Sequence, residues 1–370
     1  MRLCTQALYA GHVNNLLTDR ARAVDSRVAA TLAATAEAAS PAGVAATELT
    51  DQIAVSSAGG KRLRAQLIAA AHDAHRGSHA DAAIGLGAAV ELFQTAALLH
   101  DDVLDDSDTR RGRPAAHRVL ADVHRGRGWL GSADDFGAAA GILAGDLALM
   151  AAHRALFDAT RELNPESAAT VSGLFASMAE LVTVGQYLDM RVAAEPLASL
   201  GEQEAAIRSV MRTKTASYSA EFPLALGAAC AGSSAQAVLM MREIGLPLGV
   251  AFQLRDDVLG LTGTPAVTGK PAGDDIREGK RTMLVWRAWE VTNAAGRDCL
   301  QSTLGRRDAS DADVSAAVKV IVATDALDLV EREIDALARD ASTRLASLDL
   351  EPGAVKVLAT LFNAATDRSA

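Results

Sequence analysis

The segment from Glu91 to His117 contains the two kinds of side chain that bind phosphate groups and their metal ions. In it, five aspartates precede three arginines. Asp101 and Asp105 are four residues apart at the end of an apolar run, a spacing that directs both carboxylates to one side of a helix. Oxygen ligands favour a hard cation such as Mg²⁺, which commonly links carboxylates to phosphates. Arg110 and Arg111 could each grip phosphate oxygens with two hydrogen bonds.

The same charges also fit a solvated, self-paired polar loop, as most charge runs do. Carboxylates at a helix C-terminus oppose the macrodipole, so they cost stability unless a positive group lies there, and a divalent metal would supply that charge.

A second segment favours the metal interpretation. The apolar helical pattern from Met240 to Leu259 again runs into two aspartates, Asp256 and Asp257. The polar segment after them carries Lys270 and Lys280 and is suited to act as a lid over a phosphate site.

Gly59 and Gly60 precede Lys61 and Arg64, which share one side of the first turn of a predicted helix. Glycines before a helix start let backbone N–H groups approach an anion. The pattern is equally typical of a plain surface turn. Both interpretations stay open for this segment.

Two more polar groups lie on predicted helices. Gln186 and Asp189 fit either a functional site or an ordinary polar turn near a helix end. Lys214 shares a helix face with Met211 and Tyr218, which also suits a surface lysine whose stem covers apolar neighbours. Neither Gln186 with Asp189 nor Lys214 decides the function alone.

The elements that position these residues are expected to be helices. The chain has 370 residues, 49% hydrophobic but only 4% aromatic, with an excess of Ala that favours packed helices over sheets. Helical spacing predicts helices at 16–40, 85–100, 137–161, 167–191, 202–220, 240–259, 282–291 and 311–348. Residues 121–136, rich in Gly, Asp and Arg, are expected to form a loop.

Composition also excludes several classes of protein. A net charge of −10 argues against a nucleic-acid partner, which would require a basic surface. Cys4, Cys230 and Cys299 are far apart and lack metal spacing, as in a reduced cytosolic protein. Polar residues interrupt the N-terminal apolar run, so neither a signal peptide nor a membrane span is expected there. We therefore expect a cytoplasmic protein without a membrane span.

Taken in order, these motifs resemble those of the trans-isoprenyl diphosphate synthases, or polyprenyl synthetases. Six elements match in order and spacing: Gly59 to Arg64, Asp101 to Gly112, Gln186 with Asp189, Lys214 to Tyr218, Phe252 to Asp257, and the lid lysines Lys270 and Lys280. The resemblance spans about residues 59–282. So many ordered matches are very improbable by chance.

The resemblance implies an all-α, single-domain orthogonal bundle over residues 1–370, with a deep central cavity, and usually a homodimer. It implies head-to-tail, 1′-4 condensation of isopentenyl diphosphate with an allylic diphosphate, which is dimethylallyl, geranyl or farnesyl diphosphate. Magnesium, three ions per site, would assist ionisation of the allylic substrate to a cation. The departed diphosphate would then remove the proton, and apolar helices would keep water from the cation.

The resemblance also implies a role for individual residues. Metal would be held by Asp101, Asp105 and Asp256, with Asp102 and Asp257 near. Isopentenyl diphosphate would be bound by Lys61, Arg64, Gln94 and Arg111. The allylic diphosphate would be held by Arg110, Lys214 with Thr215, Gln253 and Lys270. Lys280 would lie at the entrance of the site. The catalytic set would be Asp101, Asp102, Asp105, Arg110, Lys214, Asp256 and Asp257.

The chain departs from the family pattern at three positions. Gly260 stands where the second motif commonly ends in a third Asp, and Thr264 replaces an acidic residue. Gln94 stands where many bacterial relatives have His, a change of little expected effect because both side chains hydrogen-bond phosphate. A class I terpene cyclase and an inactive regulatory subunit are the rival interpretations. Lys61, Arg64 and the arginine pair oppose the first, and the intact aspartates oppose the second.

Product length should be set by the helix that leads to Asp101. This helix is expected to form one wall of the tunnel that holds the growing chain. Ala97 and Ala96, the wall residues nearest to Asp101, are too small to stop a C15 chain. Phe93, about 12 Å from Asp101 at roughly 1.5 Å per residue, is the first large side chain on that face. A C20 product, geranylgeranyl diphosphate, is therefore favoured over longer polyprenyl chains or C15 farnesyl diphosphate. Phe93 also fits plain core, with a floor near Phe175 instead.

Overall fold

Helices make up almost all of the chain that the computed structural model describes, residues 2–263 and 273–367. The α-helices are α1 (Arg2–Ala38), α2 (Val44–Ser57), α3 (Leu63–Ala74), α4 (Ala80–Leu104), α5 (Ala116–Arg127), α6 (Ala133–Thr160), α7 (Pro165–Ala194), α8 (Glu204–Val210), α9 (Phe222–Cys230), α10 (Ala235–Thr262), α11 (Asp274–Glu278), α12 (Met283–Val291), α13 (Ala294–Thr303), α14 (Asp311–Val322), α15 (Ala326–Ala346) and α16 (Pro352–Thr366). The remaining elements are 3₁₀ turns at Ser40–Ala42 and Leu197–Glu202, a π-helix at Met211–Glu221, and strands β1 (Thr109–Arg110) and β2 (Arg113–Pro114). The predicted all-α fold class is confirmed.

The chain forms two compact units. The first comprises residues 1–174, 223–238 and 350–361, and the second comprises residues 175–222, 239–349 and 362–370. The first aspartate motif belongs to the first unit and the second motif to the second. The single domain expected over residues 1–370 stays a prediction.

Helix α4 runs through the core of the first unit and ends at the first aspartate motif. It contains no Pro and is buried around most of its circumference, as expected of a helix that is apolar on all sides. Helix α3 packs close to it, since a Cβ added at Gly87 would lie 2.9 Å from the Ala65 Cβ. Buried Arg62 donates to Glu91 of α4 (3.2 Å) and to Asp25 of α1 (2.7 Å). Charge pairs and apolar packing together position α4.

Helix α10 carries the second aspartate motif into the core of the second unit. Its Leu254 and Val258 lie in one apolar cluster with Leu284 of α12. Arg255, directly before the motif, donates to both carboxylate oxygens of Glu331 on α15, at 2.5 and 2.7 Å. The two aspartates that follow Arg255 are thus held on a helix fixed by both packing and a two-bond ion pair.

The segment Met211–Glu221 winds as a π-helix where an ordinary α-helix was predicted. Glycines allow neighbouring helices to approach its backbone closely. A Cβ at Gly185 of α7 would lie 2.7 Å from the Lys214 Cα, and one at Gly249 of α10 would lie 2.5 Å from the Ala216 oxygen. Because π-helical turns are rare and frequently lie at functional sites, this segment, which carries Lys214, is a candidate part of the site.

The loop predicted at 121–136 is much shorter in the structure. Helix α5 continues to Arg127, where Gly128 ends it in the left-handed conformation (φ 61°). Helix α6 begins after Ser132, whose side chain accepts a hydrogen bond from the Asp135 N–H (3.2 Å). The prediction was wrong because it relied on composition, whereas these two caps determine where the helices end.

Four helices, α4, α6, α7 and α10, are long and apolar enough to cross a membrane by length and composition. Within their most apolar windows, 78% of residues are buried in α4 and 50% in α10, against 44% in α6 and 28% in α7. The expected absence of a membrane span stays a prediction. The low burial of α6 and α7 leaves apolar surface exposed.

Candidate active site

The first aspartate motif lies where α4 ends. Asp101 and Asp102 are in its last turn, and the backbone N–H of Asp105 donates to the Asp101 oxygen (2.8 Å). Arg110 donates from Nε to Asp102 Oδ1 (2.7 Å) and from Nη2 to Asp101 Oδ2 (3.0 Å). The Asp102 side chain is only 5% exposed. An arginine of the chain itself therefore supplies positive charge that a metal alone was expected to supply.

A tight hairpin positions the arginine pair. Strands β1 and β2 are antiparallel, with Arg110 opposite Arg113. Arg111 and Gly112 between them both have positive φ, 53° and 72°, as a type I′ turn requires. This conformation costs a residue such as Arg111 about 1 kcal/mol. The turn thus holds Arg111 in an orientation that an extended chain would not give it.

Arg111 lies in a cluster of cations. Burial lowers the pKa of its guanidinium, and nearby Arg62, Arg110 and Arg64 lower it further, while Glu91 opposes them. Positive charge concentrated in this way favours the binding of an anion. The cluster is therefore a candidate anion-binding feature of the first unit.

A pocket of about 290 Å³ opens beside this cluster, lined in part by Gly59, Gly60, Asp102, Arg110 and Arg111. Gly59 and Gly60 both have positive φ, 80° and 89°, which few other residues adopt. A Cβ added at Gly60 would lie 3.8 Å from Arg111 Nη2. The glycine turn and the arginine pair, separate in sequence, therefore meet at one pocket.

The other residues predicted to bind isopentenyl diphosphate divide into two kinds. Arg64 is buried and its Nη1 donates to Gln94 Oε1 (2.8 Å), so these two predicted ligands are brought together. Lys61 is exposed just before α3 begins. Arg62, which was assigned no role from sequence, is buried and forms an ion pair with Glu91. Only the fold identifies Arg62 as a structural arginine.

In the second unit, Lys214 of the π-helix donates to Asp189 Oδ2 of α7 (2.6 Å). Both side chains are about one-fifth exposed. Thr215 follows and is partly buried, as is Gln186 one turn before Asp189. The Gln-x-x-Asp and Lys-Thr-x-x-Tyr elements, each ambiguous alone, are therefore partners in the structure.

Asp257, in the second motif, is buried, and Gln253 donates to its Oδ1 (2.6 Å). Burial raises the pKa of Asp257 well above its usual range, and the nearby carboxylates of Asp275 and Asp256 raise it further. The bond from Gln253 and the charge of Lys280 act in the opposite direction. Burial and the neighbouring carboxylates thus both disfavour the charged form of Asp257.

Asp275 of α11 was not identified from the sequence. It forms an ion pair with Lys280 (3.2 Å), whose Nζ also lies 2.7 Å from Glu278 Oε2. Two features of the sequence could have pointed to Asp275: Gly260 replaces the third aspartate of the motif, and the pair Asp274-Asp275 follows farther along the chain. Lys280, which was expected to lie at the entrance of the site, thus pairs with two acidic residues of α11. Lys270 and Thr264 lie outside the described residues.

Within residues 2–263 and 273–367, no three His, Cys, Asp or Glu side chains are gathered as a ready-made metal site. The carboxylates of each motif are nevertheless suited to magnesium, because they offer only hard oxygen donors. Burial, and after it the nearby carboxylates of Asp275 and Asp256, raise the pKa of Asp257, and a divalent cation would favour its charged form. The residues predicted to hold metal, Asp101, Asp105 and Asp256, therefore fit the ion.

The residues predicted to set product length all lie on α4. Phe93 and Ala96 are buried at 5% and 2% exposure, whereas Ala97 is partly exposed. Phe175, the rival floor, is also buried. Burial does not distinguish a tunnel wall from core, so the assignment of Phe93 stays a prediction.

Comparison with known proteins identifies similar chains. Residues 47–321 match the model of the family described as polyprenyl synthetase. A geranylfarnesyl diphosphate synthase of Aeropyrum pernix is 35% identical over 80% of this chain and 86% of its own length. A geranylgeranyl diphosphate synthase of Mycobacterium tuberculosis is 33% identical over 73% and 71%. The crystal structure of a geranylgeranyl pyrophosphate synthase from Corynebacterium glutamicum, complexed with isoprenyl diphosphate and magnesium, superposes with a TM-score of 0.87 at 34% identity, covering 95% of this chain and 99% of that one.

Proposed function

Because the chain belongs to the polyprenyl synthetase family and is a trans-prenyltransferase, we propose that it adds isopentenyl diphosphate to an allylic diphosphate and releases C20 geranylgeranyl diphosphate. Dimethylallyl, geranyl and farnesyl diphosphates would serve as allylic substrates. The observation that carries this proposal is the pocket of the first unit, which combines an aspartate of the first motif with Arg110 and Arg111.

The arginine cluster suits the diphosphate of isopentenyl diphosphate. Arg64 is held in place by burial, and Arg111 by its turn and by a hydrogen bond that its Nη1 donates to the Ala58 oxygen (3.0 Å). Gln94, already bonded to Arg64, offers its amide N–H groups to phosphate oxygens. The open turn at Gly59 and Gly60 lets a phosphate approach without meeting a side chain. The site therefore binds and orients the nucleophilic substrate.

The allylic diphosphate is assigned to the two aspartate motifs and to Lys214. Asp101, Asp105 and Asp256 would hold magnesium, which when bound supplies positive charge that stabilises the departing diphosphate. Lys214, oriented by Asp189, would donate to the diphosphate oxygens. Arg110 would exchange part of its bonding to Asp101 for a phosphate oxygen. The number of ions, three, is part of this proposal.

A homodimer in the cytoplasm is also part of the proposal. On α6, Leu143, Met150 and Phe157 recur at seven-residue intervals, share one face and are 57%, 55% and 64% exposed. Exposed apolar residues grouped in this way are typical of protein interfaces. We expect light scattering to give a dimer mass, and Met150→Glu with Phe157→Glu to give a monomer. A monomeric wild-type protein would contradict the dimer.

The elongation test is incubation with Mg²⁺, labelled isopentenyl diphosphate and, separately, C5, C10 and C15 allylic primers. We expect C20 product from each, and none from Asp101→Ala or Asp105→Ala variants that melt like the wild type. No elongation of any primer by the wild type would refute the synthase. Cyclisation of a single diphosphate would support a terpene cyclase, and activity only with a second protein would support a regulatory subunit.

A further inference from the structure

The second aspartate motif lacks its third carboxylate in sequence, because Gly260 stands there. In the structure, the side chain of Asp275 occupies the space beside Gly260. A Cβ added at Gly260 would lie 3.4 Å from the Asp275 Cγ and would overlap its Oδ2 atom. A side chain at residue 260 and the present position of Asp275 are therefore mutually exclusive.

The backbone keeps the two residues together. The Gly273 N–H donates to the Gly260 oxygen (3.2 Å), which ties the start of α11 to the end of α10. Asp257, Gly260, Asp275 and Lys280 line a common cavity of about 10 Å³, space for roughly one water-sized group. Asp275 thus faces the same small space as an aspartate of the motif.

We propose that Asp275 supplies the third carboxylate of the second metal-binding motif, from α11 in place of residue 260 of α10. This proposal rests on the magnesium-dependent function proposed above. Residue 260 lies four positions after Asp256, so an aspartate there would share a helix face with Asp256. Asp275 would instead bring its carboxylate from a different element, and its ion pair with Lys280 orients it.

The rival explanation is that Asp275 only positions Lys280. Relocation of the carboxylate separates the two roles. The set of proteins is the wild type, Asp275→Ala, Asp275→Asn, Gly260→Asp and the double variant Gly260→Asp with Asp275→Ala. Asp311→Ala is the control, since Asp311 is an exposed acid that pairs with Arg277 of α11.

The measurement is Mg²⁺ titration by calorimetry with inorganic diphosphate present, supported by melting with and without Mg²⁺. We expect Asp275→Ala and Asp275→Asn to weaken Mg²⁺ binding by about 10-fold or more, the range found when a residue that supports a metal site is removed. Gly260→Asp alone should melt lower without metal, because two carboxylates compete for one space. The double variant should recover binding to within a few-fold of the wild type, and Asp311→Ala should match the wild type.

The proposal is overturned if both Asp275 variants bind Mg²⁺ as the wild type does, or if the double variant binds no better than Asp275→Ala. Should the Gly260→Asp variants fail to fold, the isosteric Asp275→Asn still decides, because it keeps the size of the side chain and removes its charge. A wild type that elongates primers while the Asp275 variants bind Mg²⁺ normally contradicts only this inference. A wild type that elongates none contradicts the proposed function instead.

Discussion

Arg110 lies across the end of α4 with its Nη2 atom 2.5 Å from Asp102 Oδ1 and 3.0 Å from Asp101 Oδ2. The interpretation as a self-paired polar segment is therefore correct for these three residues, and the interpretation as a metal site stays a prediction. The arginine compensates the charge of the two aspartates, and its side chain is 23% exposed. The three charges therefore stabilise one another at the end of α4.

Arg110→Ala should therefore lower the stability of the metal-free protein. The loss of charged bonds to buried Asp102 is expected to cost about 1–3 kcal/mol in urea unfolding. Mg²⁺ with inorganic diphosphate should narrow the difference, because the ion replaces the lost charge. Arg125→Ala is the control, since exposed Arg125 pairs only with surface acids among its described partners and should cost less than about 0.5 kcal/mol. Unchanged stability of Arg110→Ala without metal would contradict this account.

Lys214 and Asp189 should act as a coupled pair on the allylic substrate. Lys214→Ala removes the cation, and Asp189→Ala leaves the lysine present but no longer oriented by this bond. We expect the first to lower kcat/KM for the allylic diphosphate strongly and the second by roughly 10-fold, with the double variant no worse than Lys214→Ala. Additive losses would show that Asp189 acts independently of Lys214.

Much of this architecture could be predicted from the sequence because its signals are local. Alanine-rich periodicity predicts the helices, and an apolar run into paired aspartates predicts where α4 and α10 carry the motifs. The π-helix could not be predicted, because the close approach of Gly185 and Gly249 to its backbone is visible only in the fold. The roles of Arg62 and Asp275 could not be predicted either, because the residues that they contact, Glu91 and Gly260, are distant in sequence and lie on other helices.

The two diphosphates should respond to different residues. Arg64 and Gln94 are bonded to each other in the first unit, so Arg64→Ala is expected to raise the KM for isopentenyl diphosphate by about 10-fold or more with a smaller change for the allylic substrate. Lys61→Ala should act in the same direction, and Lys270→Ala should act on the allylic substrate. Steady-state rates with each substrate varied in turn would check this division. Equal effects on both KM values from Arg64→Ala would refute it.

Asp257 should make the metal-free protein less stable as pH rises. Its folded pKa is raised, chiefly by burial, so the folded state binds the proton more tightly than the unfolded state. Stability therefore falls as pH rises from the ordinary carboxyl range through the raised pKa, and the cost persists above it. Asp257→Asn should be more stable than the wild type at neutral pH, and this gain should disappear on acidification to about pH 4.

The measurement for Asp257 is a series of urea unfolding curves across that pH range, with and without Mg²⁺ and inorganic diphosphate. The metal should stabilise the wild type more than it stabilises Asp257→Asn, since the amide carries no negative charge for the ion to offset. Asp311→Asn serves as the exposed control. A pH-independent difference between Asp257→Asn and the wild type would show that the carboxyl group titrates alike in the folded and unfolded states.

Product length gives the most direct test of α4 as one wall of the tunnel. Ala97 lies four residues before Asp101 and Phe93 eight, so all three share a helix face, with Phe93 about 12 Å along the axis from Asp101 at roughly 1.5 Å per residue. Ala97→Phe places a ring one turn below the first motif and should shorten the main product to C15. Phe93→Ala removes the first large side chain on that face and should lengthen the product beyond C20. Phe175→Ala tests the rival floor. Chromatography of the dephosphorylated products reports the chain length. If both α4 variants still give C20 product and Phe175→Ala changes it, product length is set by α7 and not by α4.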